Sequence, residues 1–188
     1  MKMIQIKEVG YQEVKARVDS LSTDLIKMEY LESVLKVSDI FMDVRKFAYT
    51  MLAELYEKRL MPDKAAKIMS TKANYDMTFR EKIESYLRAA ELYAKSGNIL
   101  LADDMFVRAS REGNAEQQAK IALARKNIFL TVANDFEKKS RMAHAVKFYE
   151  HLLIFKLDDL EKSLIKKKLL DYYKKVGRFN EARIIESK

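Results

Sequence analysis

Residues 88–110 read RAAELYAKSGNILLADDMFVRAS. Ala90 and Tyr93 stand three apart, which places them on one face of a helix. Gly97 ends that helix, because glycine enters a left-handed carboxyl cap without steric penalty. Ala102, Phe106 and Ala109 then follow at i, i+4 and i+7, one apolar stripe on a second helix. Small residues let two helix backbones approach closely, and rings fill the wedge beside them. The segment reads as a hairpin of two helices whose faces fit each other.

The same spacing recurs along the chain. Small–x–x–aromatic appears as Ala53–Tyr56, Ala90–Tyr93 and Ala133–Phe136, with Leu170–Tyr173 as a looser fourth copy. Nine residues after each aromatic stands an alanine: Ala65, Ala102, Ala145 and Ala182. Four residues further come Met69, Phe106, Tyr149 and, in the last copy, Glu186. The copies lie 37, 43 and 37 residues apart, a period that signals stacked helical hairpins.

Cap signals mark the boundaries. Thr78-x-x-Glu81 and Asn114-x-x-Gln117 read as capping boxes, with Asp158-x-x-Glu161 a looser version. Pro62 suits the first turn of a helix. The predicted helices are 11–36, 39–60, 62–73, 79–96, 98–112, 115–139, 142–155, 159–176 and 179–187. The first carries a heptad-like seam of Tyr11, Val14, Val18, Leu21, Leu25 and Met28. Ile26, Tyr30, Val34 and Val37 widen that stripe. This favours a long helix over residues 1–40 packed lengthwise on the next one, with a dimeric coiled coil as the alternative.

Composition agrees with an all-α chain. One proline and four glycines in 188 residues leave little turn chemistry for a many-stranded sheet. There is no cysteine, hence no disulfide, thiolate metal site or thiol nucleophile. No apolar run approaches the roughly 20 residues that span a bilayer, and the first residues lack the apolar block of a secretion signal. A cytoplasmic location is expected. The protein is basic, at +8. Much of the excess falls in residues 161–188, with nine basic and four acidic side chains.

The hairpin spacing resembles the tetratricopeptide repeat (TPR) and its degenerate relatives. Tyr86, Ala90, Tyr93, Gly97, Ala102, Phe106 and Ala109 match the family's pattern in the best copy, and the likeness covers about residues 45–188. The repeat distances exceed the regular ~34 residues of that family. In this the chain is similar to the helical-repeat arms of scaffold subunits of the COP9 signalosome and the proteasome lid. The resemblance implies an α-solenoid of antiparallel hairpins, a right-handed superhelix over residues 41–188. It also implies a protein–protein interaction module, a small adaptor or scaffold that grips a partner in its groove, and no catalysis or cofactor.

Candidate surfaces follow. Arg88, Glu91, Leu130, Thr131 and Asn134 form the expected peptide-binding wall. A lysine stands two residues after each repeat aromatic: Lys58, Lys95, Lys138 and Lys175. Three of these have an acid at i−4, which reads as helix stabilisation rather than a binding ladder. Lys138, Lys139, Arg141, Lys167, Lys168, Lys174, Lys175 and Arg178 make a candidate basic patch, and nucleic-acid binding there is the alternative function. Lys166, Lys167 and Lys168 fan over about 200° of a helix, so not all can serve one ligand, and the basic excess also reads as a solvated face. A homodimer through the amino-terminal helix or the carboxyl end is a further expectation. Ile184 and Ile185 leave that end apolar. His144 and His151 lie two turns apart, roughly 10 Å, too far for one metal without ligands between. No phosphate loop, nucleophile elbow or paired-carboxylate motif is present, so no enzyme is expected.

Overall fold

A computed structural model describes residues 6, 8 and 10–187. Among them are ten α-helices and no strand. The helices are α1 (Tyr11–Ser20), α2 (Asp24–Leu35), α3 (Met42–Lys58), α4 (Pro62–Lys72), α5 (Phe79–Ser96), α6 (Ile99–Glu112), α7 (Ala115–Lys138), α8 (Met142–Leu152), α9 (Asp159–Lys175) and α10 (Phe179–Glu186). A single 3-10 turn, Ala73–Tyr75, follows α4. The chain divides into two compact units at residues 121/122, within α7.

Within the amino-terminal unit, helices pack on their sequence neighbours: α2 on α3, α3 on α4, α4 on α5 and α5 on α6. Within the carboxyl-terminal unit α8 packs on α9 and α9 on α10. Phe148 of α8 meets Phe129 and Phe136 of α7 with ring centroids 5.5 and 5.7 Å apart. The small and aromatic repeat residues make these cores. Ala53, Tyr56, Ala90, Tyr93, Ala102 and Phe106 are buried in one unit, and Ala133, Phe136, Ala145 and Tyr149 in the other. In the looser fourth copy Leu169 takes the fully buried position and Leu170 is half-buried.

The four hairpin turns share one backbone solution. Four residues after each repeat aromatic, the chain enters the left-handed region: Leu60 at φ 58°, Gly97 at 90°, Ser140 at 57° and Gly177 at 76°. The next residue donates its N–H back to the carbonyl of the aromatic. These bonds run from Met61 to Tyr56 (2.9 Å), Asn98 to Tyr93 (2.9 Å), Arg141 to Phe136 (2.8 Å) and Arg178 to Tyr173 (2.8 Å). This is the Schellman closure, which satisfies otherwise orphaned carbonyls at a helix end. The residue that closes one helix then opens the next. Met61, Asn98, Arg141 and Arg178 each accept, through their carbonyls, the N–H of the buried repeat alanine four residues on. The nine-residue spacing from ring to alanine is therefore the length of one such turn plus one helical turn.

A longer recurrence joins the ion pairs. Lys46 bonds Glu81 across α3 and α5 at 2.8 Å, and Lys126 bonds Glu161 across α7 and α9 at 2.6 Å. Arg88 bonds Glu57, and Lys168 bonds Glu137 at 2.5 Å. Each second pair lies 80 residues after its counterpart, the 37- and 43-residue distances taken together. The stretch α7–α10 thus repeats the construction of α3–α6.

The expected long helix over 11–36 is two helices, a correction to the sequence reading. Ser20 Oγ donates to the Arg17 carbonyl at 2.7 Å, and the Thr23 side chain accepts the Ile26 N–H at 3.3 Å. Such local bonds compete with a continuous helix. The break shifts the buried face, so Val14, Val18 and Met28 are buried while Leu25 of the expected seam is exposed. Both α1 and α2 pack on α3, and Tyr11 meets Phe47 edge-on at 5.2 Å. The three capping boxes form as expected, at Thr78–Glu81, Asn114–Gln117 and Asp158–Glu161, and Pro62 opens α4. Among the described residues no helix is long and apolar enough to cross a membrane.

Candidate functional site

The carboxyl-terminal unit contains a cavity of about 270 Å³ lined by α7, α8, α9 and Leu157 of the α8–α9 connection. From α7 come Lys126, Leu130 and Asn134 at i, i+4 and i+8, one helix face. From α9 come Glu161, Leu164, Ile165 and Lys168 at i, i+3, i+4 and i+7. Tyr149 and Leu152 of α8 complete the lining. Leucine and isoleucine dominate it, and charged pairs sit among them.

One pair is Lys126–Glu161. Glu161 is held in place a second time, because its carboxylate also accepts the Asp158 N–H at 3.1 Å in the capping box of α9. The other is a network around Lys168. Its ammonium donates to Glu137 at 2.5 Å, to the Tyr149 hydroxyl at 2.9 Å and to Asn134 Oδ1 at 3.0 Å. The Tyr149 hydroxyl donates to Glu137 at 2.6 Å, with Asn134 Oδ1 2.8 Å away. The hydrogen bond from Lys168 holds the Glu137 carboxyl below its usual range. Burial, and then the Glu137 contact, pushes the Tyr149 phenol up to about 12. Burial pulls Lys168 down, but Glu137 and Tyr149 together leave it above its ordinary value. Each group is thereby locked in its ordinary ionisation state near neutrality.

Because lysine only donates, Asn134 must turn its oxygen toward Lys168. Its amide N–H₂ has no protein acceptor among the described residues.

The corresponding place in the amino-terminal unit carries a cluster of polar groups. Where the cavity has Leu152 and Ile165, that unit has Lys72 and Ser85, 80 residues earlier. Lys72 donates to Asp76 at 2.9 Å and to Ser85 at 3.0 Å, and Ser85 donates to Asp76 at 2.5 Å. The Asp76 side chain is wholly buried. A buried carboxylate needs such partners, and the cluster fixes the α4–α5 turn. In its place α7–α10 carries aliphatic side chains and open space.

The expected groove residues fall in both units. Leu130 and Asn134 line the cavity, while Thr131 is exposed on α7. In the amino-terminal unit Arg88 bonds Glu57 and Glu91, and Lys95 bonds the same two acids, a closed quartet. Of the three expected i−4 ion pairs one forms among the described residues. Lys95 pairs with Glu91 at i−4, but Lys58 pairs instead with Asp24 at 2.8 Å, and Lys138 and Lys175 form no ion pair among the described residues.

The basic patch is likewise divided. Lys168 belongs to the network above, Lys174 pairs with Glu186 at 2.8 Å and Arg178 with Glu181 at 2.7 Å. Arg141 and Arg178 lie over the rings of Phe136 and Tyr173. Lys138, Lys139, Lys167 and Lys175 are exposed. Both histidines pack on phenylalanine, His144 on Phe136 and His151 beside Phe129 and Phe155.

The sequence reading missed Lys126, Tyr149, Leu157, Glu161 and Leu164. Their signal lay in the 80-residue offset between Lys46/Glu81 and Lys126/Glu161. Comparison of the chain with protein-family models, with curated proteins and with solved structures gives no match.

Proposed function

We propose that this chain is a TPR-like helical-repeat adaptor that binds a segment of another protein, with the α7–α9 cavity as its anchor site. The observation that carries this reading is the contrast between the two units. One construction occurs twice, and where the first copy has a buried polar cluster the second has aliphatic side chains around a cavity. A space of that size takes one bulky aliphatic or aromatic side chain, and Asn134 stands at its wall. Leu164, 63% exposed, extends the apolar surface past the mouth. Concave, mostly apolar sites with a few polar groups at the wall are the usual form of a recognition pocket.

Binding fits these groups better than catalysis. Glu137 is held below and Tyr149 above their ordinary values, whereas a general acid or base works best with a value near the operating pH. A protein partner also fits better than nucleic acid, since Lys168, Lys174 and Arg178 of the basic patch are already committed to carboxylates.

Selection of a displayed random-peptide library on the immobilised full chain tests the reading. Enriched peptides should share one bulky apolar residue. Leu164→Glu should weaken their binding about tenfold or more while thermal unfolding stays unchanged. Failure to enrich any peptide, or enrichment indifferent to Leu164→Glu, contradicts it.

A further inference from the structure

The two copies share a further frame. Arg45 lies over the Tyr75 ring at 5.0 Å, and Arg125 over the Phe155 ring at 4.3 Å. Tyr75 stacks on Tyr49 with centroids 5.4 Å apart, and Phe155 stacks on Phe129 at 5.7 Å. All three residues recur 80 positions later, as the Lys46–Glu81 and Lys126–Glu161 pairs do. On this common frame three neighbours change. Asp43, Asn74 and Asp76 of the first copy are Leu123, Ile154 and Lys156 in the second. The first copy carries its own buried carboxylate, Asp76, 3.8 Å from Lys46. The second has a lysine at that position.

The exchanged residues line an open cavity of about 460 Å³ within the carboxyl-terminal unit. Its seven lining residues include three cations, Arg125, Lys126 and Lys156, and no acid. Lys156 is exposed and forms no ion pair among the described residues. Lys126 gives one donor to Glu161, which lines the other cavity, and an ammonium has three donors. Leu123 and Ile154, both exposed, make the apolar part together with Phe155. Lys126 lines this cavity and the α7–α9 cavity alike, so the two adjoin. Ala122, Lys126, Leu130 and Asn134 follow at intervals of four along that side of α7.

We infer that the bound segment brings the carboxylate that the second copy lacks: its bulky apolar side chain enters the α7–α9 cavity, and an aspartate or glutamate of the same segment meets Lys156 and Lys126 in the adjoining cavity. This rests on the interaction reading above and adds the partner's charge. Leu123 and Leu130, one in the lining of each cavity, stand seven residues apart on α7, about 10 Å along its axis. The acid is therefore about three residues from the apolar anchor in an extended segment, or about seven in a helical one. A protein segment suits the site better than a nucleic acid. A base needs an open ring to stack on, and the Phe155 ring is already engaged by Arg125 and Phe129.

The peptide-library selection on the full chain supplies the probes. The most enriched peptide should carry Asp or Glu at one of those distances from its apolar residue. It is synthesised with both ends blocked, so that no terminal carboxylate contributes, beside a version with Lys for the acid and a labelled oligothymidylate. In fluorescence anisotropy the acidic peptide should bind the wild-type chain at least about tenfold tighter than either of the others. Lys156→Glu should cut that preference at least about tenfold while the thermal midpoint stays near wild type, since Lys156 is exposed and without an ion pair. Lys139→Glu, an equal charge change at the α7–α8 turn, should leave the preference intact. Indifference to Lys156→Glu, an equal loss with Lys139→Glu, or oligothymidylate binding as tightly as the acidic peptide overturns the inference. If the library enriches neutral or basic apolar peptides that depend on Leu164, the interaction reading stands and this inference fails alone. If it enriches none, both fall.

Discussion

Leu60 and Gly97 occupy the same left-handed backbone position, at φ 58° and 90°, in turns that are otherwise bonded alike. Only glycine takes this conformation without strain. An L-residue meets its own carbonyl oxygen through Cβ, at a cost of roughly 1–2 kcal/mol. Leu60 is also 89% exposed, so its side chain recovers little by packing. Leu60→Gly and Ser140→Gly should each raise stability by up to about 1 kcal/mol, the relief of strain less the extra freedom of the unfolded glycine. Gly177→Ala should lower it by about 1 kcal/mol, although a Cβ there meets no atom within 4 Å. Urea midpoints with an unchanged slope measure this. A stabilising Gly177→Ala would contradict the strain account.

The Lys168 network should behave as a coupled unit. Lys168 and Glu137 are 40% and 36% exposed, so solvent screens their attraction. A double-mutant cycle of Lys168→Met and Glu137→Gln should give a coupling of about 0.5–1 kcal/mol. Tyr149→Phe should cost about 1 kcal/mol through the lost hydroxyl bonds. Strict additivity of the two charge changes would mean that the network does not hold α7 and α9 together.

Acid should weaken the amino-terminal unit through Glu81. Its carboxyl is lowered from 4.5 to about 2, first by Lys46 and then by the Thr78 cap. A carboxyl depressed in the folded state adds stability that is fully present above its unfolded value and is lost as pH falls through the folded one. Stability should therefore decline between about pH 5 and pH 2. Lys46→Met should make that decline shallower, so that the two proteins differ most above pH 5 and converge near pH 2. Parallel pH profiles in urea unfolding would remove Glu81–Lys46 as a source of the acid response.

The hairpins were legible because their determinants are local. Ala90, Tyr93, Gly97 and Ala102 lie within one turn and its flanking helical turns, and every bond that shapes them joins residues at most five apart. The caps at Thr78, Asn114 and Asp158 were legible for the same reason. The amino-terminal break was not legible because the apolar spacing runs on through Leu21 and Leu25, past Ser20 and Thr23. Their side-chain bonds to Arg17 and Ile26 outweighed the periodicity. The expected site residues are divided by the structure. Leu130 and Asn134 reach the cavity, but Arg88 and Glu91 close on Glu57 and Lys95, and Lys168 turns from the solvent to Glu137.

The sequence alone determined the helices from α3 onward, the four closed turns and the burial of the repeated alanines and rings, because helix periodicity and capping act over a few residues. The tertiary structure alone decided which lysines stay unpaired and where an apolar cavity opens. Those outcomes depend on side chains 35 and 31 residues apart, as in Lys126–Glu161 and Lys168–Glu137. They depend also on whether the space between three helices is filled by a polar cluster, as at Lys72–Asp76–Ser85, or left between leucines.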